Sequence, residues 1–168
     1  MKKQTYQFSF EVFDSIDALS EQDARLLQQA REVTAEAYAP YSHFSVGAVA
    51  RLANGEVLSG TNQENASFPA GLCAERVLLS NISARCPGVA IETIALSYDT
   101  SPGVSDHPIS PCGICRQTLQ EYEIRLGAPI RLIMGGQTGK VYIIPQAGFL
   151  LPLSFTGEEL GRSHGKKS

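Results

Sequence analysis

The segment Phe44–Asn62, "FSVGAVARLANGEVLSGTN", carries the reading on which the fold turns. Asn54–Gly55 near its middle is the dipeptide that tight hairpin turns favour, because both residues tolerate positive φ. Apolar, strand-forming residues lie on either side, so the spacing predicts two antiparallel strands, Phe44–Leu52 and Val57–Asn62.

Working outward towards the N-terminus, Ser20 is a candidate helix N-cap with Asp23 three residues on. Leu26, Leu27, Ala30, Val33, Ala37 and Tyr38 follow at helical spacing, and Pro40 ends the helix. Towards the C-terminus a second helix is predicted over Leu72–Ala84, with Val77, Leu78 and Ile82 facing inward and "CAER" (Cys73–Arg76) on its first turn. A buried strand at Ile91–Ser97 comes next. The loop Asp99–Pro111 is dense in turn formers, and the proline at its end opens a third helix over Cys112–Leu126. Strands at Ile130–Met134 and Val141–Ile144 flank "GGQTGK", and "AGFLLPLSF" is a short apolar segment. Five strands with helices between them make an α/β layered domain.

At 168 residues and 43% hydrophobic, the chain is expected to form a single domain, 1–168, with one full core. Within it, 1–19 reads as an N-terminal extension and 161–168 as a flexible tail. Net charge is −3 and no basic run precedes that tail, so the electrostatic footprint of a nucleic-acid binder is missing. Neither a signal-peptide core nor a membrane-length apolar run occurs, so a cytoplasmic protein with no membrane partner is expected. In a reducing compartment four cysteines point to metal binding or catalysis before disulfides.

Three of them share a pattern. Cys112 and Cys115 form C-x-x-C just after Pro111, and Cys73 stands on the first turn of the preceding helix. Three thiolates satisfy zinc and leave a tetrahedral position open, as catalytic zinc sites require. Both helix starts direct free N–H groups and positive dipole ends at the sulfurs, which helps hold them ionised. Three thiolates on Zn2+ leave a formal charge of −1, and Arg76, on the same helical face as Cys73, can offset it. Glu75 does not share that face, yet a first-turn side chain can fold round the helix end. An acid beside the open position is the expected proton shuttle. Outside this context, Glu75 would be an ordinary first-turn glutamate and Arg76 a surface arginine. Cys86 belongs to no such pattern and reads as a small buried hydrophobe.

The order Cys-Ala-Glu, then "PCGIC" downstream, matches the zinc deaminase signature in its three-cysteine form. None of His43, His107 or His164 is followed two residues later by Glu, so the histidine form is not available. The sequence resembles the nucleoside cytidine deaminases from about Ala35 to Leu160, through "AYAPYSHFSVGA", "GTNQENASF", "CAER", "SPCGICRQ" and "LLPLSF". The resemblance implies a three-layer α/β/α fold with a mixed five-stranded sheet. It also implies one Zn2+ per subunit and a homotetramer with shared active sites. Residue by residue, it makes Cys73, Cys112 and Cys115 the zinc ligands, Glu75 the proton shuttle and Arg76 the charge-balancing neighbour. Asn62 and Glu64 match the pair that binds the ribose 3′-hydroxyl. Phe44 matches the aromatic packed on the nucleoside, and Phe155 one contributed by a neighbouring subunit. The backbone of Ala74 and Ser110 would read the pyrimidine edge. Without the motifs, Asn62 and Glu64 would read as turn residues and both phenylalanines as core.

The implied reaction is hydrolytic deamination of a small pyrimidine nucleoside, cytidine or deoxycytidine, in pyrimidine salvage. Two features depart from the family pattern: the extension 1–19, and extra length near "RCPGVAIE" or "DTSPGVSDHPI". Three competing readings are a deaminase of a nucleoside antibiotic such as blasticidin S, a structural zinc module, and a thioredoxin-like pair at Cys112 and Cys115.

Overall fold

The Asn54–Gly55 turn forms, by a different route from the one the dipeptide alone suggests. Gly55 takes φ +85°, the left-handed region open to glycine. Asn54 instead uses its side chain, whose Oδ1 accepts from the Glu56 N–H at 3.1 Å. Gly55 N–H donates to the Leu52 carbonyl at 2.9 Å, and four residues, Ala53–Glu56, connect the strands. The strands themselves are β2, Phe44–Leu52, and β3, Val57–Thr61, paired antiparallel from Gly47–Thr61 to Arg51–Val57.

The computed structural model describes residues 1–161. Around the hairpin stand β1 (Glu11–Phe13), α1 (Glu21–Val33), α2 (Ala74–Arg85), β4 (Ile91–Thr100), α3 (Gly113–Leu126), β5 (Arg131–Gly135) and β6 (Val141–Ile144). They build one sheet in the order β1-β6-β5-β4-β2-β3. Only the β4–β5 pair is parallel among the described residues, so the sheet is mixed, as expected. Leu26, Leu27 and Ala30 of α1 pack on Val49, Ala95 and Ile133 on one face. Leu78, Leu79 and Ile82 of α2 and Leu119 of α3 pack on Ala48, Ala50, Ile94 and Leu96 on the other. The layers are α/β/α, with α2 and α3 side by side.

The sheet has six strands where the sequence pattern gives five. The extra one lies in the N-terminal extension: Glu11–Phe13 pairs antiparallel with β6. It is three residues long and mostly exposed, so it carries no alternating signature; the edge of β6 supplies its order. Upstream, Phe8 packs 6.0 Å from Phe149 and Phe10 packs 5.2 Å from Tyr142, while the Tyr6 hydroxyl donates to the Phe149 carbonyl at 2.9 Å. The extension lies along the molecule's surface as a strap. Of the expected flexible tail, 162–168 lie outside the described residues; Gly161 caps the short 3-10 helix Gly157–Leu160.

Two residues place the first two helices, one at a boundary the sequence marks and one in the sheet. Ser20 caps α1, its Oγ accepting from Asp23 N–H at 3.2 Å. Gly60 lets α2 lie directly on β3: any side chain there would run into the Leu78 backbone. That contact seats the N-terminal end of α2, and therefore Cys73, against the sheet. No helix among the described residues is long and apolar enough to cross a membrane.

Candidate active site

Cys73 is the N-cap of α2 and Cys112 the N-cap of α3. Neither side chain caps its own helix, so both sulfurs are free to turn to a common point. Cys115, fully buried, sits one turn into α3 beside them. Cys73 Sγ lies 3.7 Å from Cys112 Sγ, which lies 3.5 Å from Cys115 Sγ, and all three fall within 4.8 Å of one another. Sulfurs at about 2.3 Å from a tetrahedral zinc would stand about 3.8 Å apart, so the triad fits that ion. Among the described residues the group able to hold a metal consists of these three, which leaves a fourth position for water or substrate.

In the thiol form the triad shares its protons. Cys73 is pushed down to about 6, first by the hydrogen bond from Cys115, then by that from Cys112, with help from the Arg76 charge. Cys115 is pushed up, because it donates to Cys73 and is buried. Between these two, Cys73 is the readier thiolate and Cys115 keeps its proton. Arg76 is half-buried and acts on the centre through its charge.

Glu75 is 6% exposed. Burial raises its pKa above the ordinary carboxylate range; hydrogen bonds from its own backbone N–H and from Cys115 pull the other way. The expected fold-back round the helix end is therefore present: the carboxylate bends over its own amide towards the cysteines. A buried carboxyl of raised affinity for protons beside a candidate metal suits proton transfer at neutral pH.

The triad opens on a cleft of about 620 Å³, in the range of small-molecule sites. Phe44, Asn62, Glu64, Ala74, Glu75 and Ser110 all line it, together with Cys73 and Cys112. Glu64 accepts from the Tyr41 and Ser42 N–H groups at 2.8 and 3.2 Å, which fixes the carboxylate at the mouth. Asn62 has a structural task as well: its Oδ1 accepts from Val46 N–H at 2.7 Å and its Nδ2 donates to the Phe44 carbonyl at 2.8 Å. Each amide atom keeps one further hydrogen-bonding capacity for a ligand. Phe155 stands apart: it is 57% exposed, is not among the lining residues of its own chain's cleft, and its carbonyl accepts from Gln117 at 2.9 Å.

Several residues that the motifs contain, but to which the deaminase signature gives no role, also stand at the site. Tyr41 and Phe68 meet edge to face at 6.0 Å on the cleft rim. Arg116, next to Cys115, donates to the Pro111 carbonyl at 2.8 Å and to the Leu150 carbonyl at 3.2 Å, bracing the turn that presents Ser110 and Cys112. Its adjacency to the last cysteine was a signal available in "PCGICRQ". Cys86 is buried at the C-terminal end of α2, the opposite end from Cys73, its thiol donating to Glu56 at 3.3 Å.

The sequence profile of the family described as "Cytidine and deoxycytidylate deaminase zinc-binding region" matches residues 20–126. A cytidine deaminase of Halalkalibacterium halodurans is 36% identical over 137 residues, 80% of this chain and 95% of the relative. The crystal structure of a cytidine deaminase from Burkholderia pseudomallei superposes with a TM-score of 0.67 at 36% identity, covering 82% of this chain and 100% of the other. A blasticidin-S deaminase of Bacillus cereus is 28% identical over 149 residues, 82% of this chain and 95% of the relative.

Proposed function

The chain belongs to the cytidine and deoxycytidylate deaminase family, and on that premise we propose that it hydrolyses cytidine and 2′-deoxycytidine to uridine and 2′-deoxyuridine, releasing ammonia. The observation that carries this reading is the buried carboxyl of Glu75 against Cys115, at the foot of a nucleoside-sized cleft.

Cys73, Cys112 and Cys115 would hold one zinc ion per subunit, which when bound supplies the Lewis acidity that ionises water near neutral pH. Glu75 accepts the proton of the attacking water and delivers it to N3 of the pyrimidine as oxygen adds to C4. The same carboxyl then carries the proton of the added C4 hydroxyl to the exocyclic nitrogen, the C4–N bond breaks as the C4 carbonyl forms, and ammonia leaves. Arg76 balances the negative charge of the thiolates. Backbone groups of Ala74 and Ser110 read the base, Asn62 and Glu64 hold the ribose 3′-hydroxyl, and Phe44 packs on the nucleoside. Phe155, exposed on its own chain, would complete the cleft of a neighbouring subunit in a homotetramer. A cytoplasmic role in pyrimidine salvage follows from that substrate.

A second reading, deamination of blasticidin S, has the Bacillus cereus relative in its favour. Turnover of both compounds by zinc-loaded protein, followed by ultraviolet absorbance and ammonia release, separates the two. Efficient turnover of cytidine with none of blasticidin S is expected; the reverse would replace the nucleoside reading.

A further inference from the structure

The cleft has a wall that the cysteine centre does not build. Phe44, which lines it, is backed by Tyr98 of β4: the rings stack at 5.0 Å and 17°. Tyr98 is 1% exposed, and the register explains the stack, since Val46 is its direct partner on β2 and Phe44 lies diagonally on the same face.

The loop between β4 and α3 covers the phenol. His107 meets the Tyr98 ring edge-on at 5.7 Å, with Nδ1 3.2 Å and Nε2 3.5 Å from the hydroxyl oxygen. Asp106 Oδ1 lies 2.9 Å from the same Nδ1. A carboxylate has no proton to give, so Nδ1 carries the hydrogen of that bond, and the Tyr98 hydroxyl has two acceptors at 3.5 Å, Nε2 of His107 and the Val104 carbonyl of the same loop. The His107 side chain is 65% exposed, so one edge shields the phenol while the rest meets solvent.

This loop is held from both sides. Ser105, buried, donates to the Tyr98 carbonyl at 2.6 Å and accepts from Gln137 N–H at 2.9 Å, and its carbonyl accepts from Thr138 N–H at 3.0 Å. Further along, Ile109 and Ser110 face the cleft and Cys112 begins the candidate metal turn. One loop therefore both covers Tyr98 and ends at the centre.

We propose that His107 and Tyr98 form a positioning pair that fixes the Phe44 wall, so that the pair sets how tightly a nucleoside is held without itself taking part in the chemistry. The pair rests on the deaminase reading only in making Phe44 a wall of the substrate cleft. Asp106 orients His107, His107 anchors the phenol, and the phenol ring presents Phe44 at a fixed tilt.

The test compares His107→Ala, His107→Gln, Tyr98→Phe and the His107→Ala/Tyr98→Phe double variant, all zinc-loaded. His107→Ala and Tyr98→Phe should each raise KM for cytidine roughly three- to tenfold, as loss of one neutral hydrogen bond implies, with kcat within about twofold. The double variant should be no worse than either single, and His107→Gln, which keeps an acceptor, should restore most of the loss. Ring 13C resonances of Phe44, assigned with a Phe44→Leu control, should lose their stacking shift in His107→Ala. An unchanged KM with unchanged Phe44 resonances, additive effects in the double variant, or no rescue by glutamine would overturn the pair. If the wild type leaves cytidine untouched, the deaminase reading fails, and the Phe44 resonances alone decide the pair.

Discussion

Arg131 grips Asp23 with both terminal nitrogens, Nη1 on Oδ1 and Nη2 on Oδ2, each at 2.8 Å. The pair ties the first turn of α1 to the start of β5. The Arg131 bonds hold Asp23 below the ordinary carboxylate range, against the opposing effect of burial, and Arg131 is raised in turn. Because the folded pKa is depressed, the stabilisation is fully present above the unfolded value of about 3.9 and is lost as pH falls through the folded one. Asp23→Asn should therefore cost about 1.5–3 kcal/mol at pH 7, measured by urea unfolding, and progressively less below about pH 4.

Gly60 is predicted to be intolerant of a side chain. Gly60→Ala forces α2 away from β3 at Leu78, and should lower stability by about 1–3 kcal/mol. Because α2 carries Cys73, zinc affinity in a competition titration should fall as well, whereas Gly88→Ala, which meets open space and costs stability only through its φ of +81°, should leave zinc affinity unchanged.

Much of this was legible in the sequence because period and punctuation agreed. The Asn54–Gly55 hairpin, the Ser20 cap and the C-x-x-C after Pro111 each combine a hydrophobic pattern with a residue that starts or stops an element. What escaped depends on partners distant in the chain. Glu11–Phe13 is a strand only because β6 offers an edge. Asp23 is half of a capping pair with Ser20, as its spacing suggests, and its carboxylate also spans to Arg131, a partner that no local pattern reveals. Arg116 and Tyr98 do their positioning through carbonyls and rings from other elements, which spacing does not encode.

Removing the metal should expose one reactive thiol first. With Cys73 near 6 in the shared-proton triad, a chelated sample at pH 7 should react rapidly at Cys73, while buried Cys86, raised by burial and by Glu56, stays slow. Mass mapping after a short alkylation pulse checks this; equal labelling with and without chelator would show that the triad holds no metal.

Phe155 offers a test of the shared cleft. Phe155→Ala should keep the far-ultraviolet spectrum of the wild type, since the side chain is largely exposed, yet raise KM for cytidine. Sedimentation run in parallel should show an assembly of more than one chain; a monomer with unaltered KM would remove Phe155 from the site.

The most direct test of the account is Glu75→Gln, which preserves shape and removes the proton-carrying group. Zinc content and cytidine binding are measured by metal analysis and calorimetry, and turnover by ultraviolet absorbance. The account predicts full zinc, near-normal binding and a fall in kcat of about 10²–10⁴. Turnover within tenfold of wild type, with zinc bound, would contradict it.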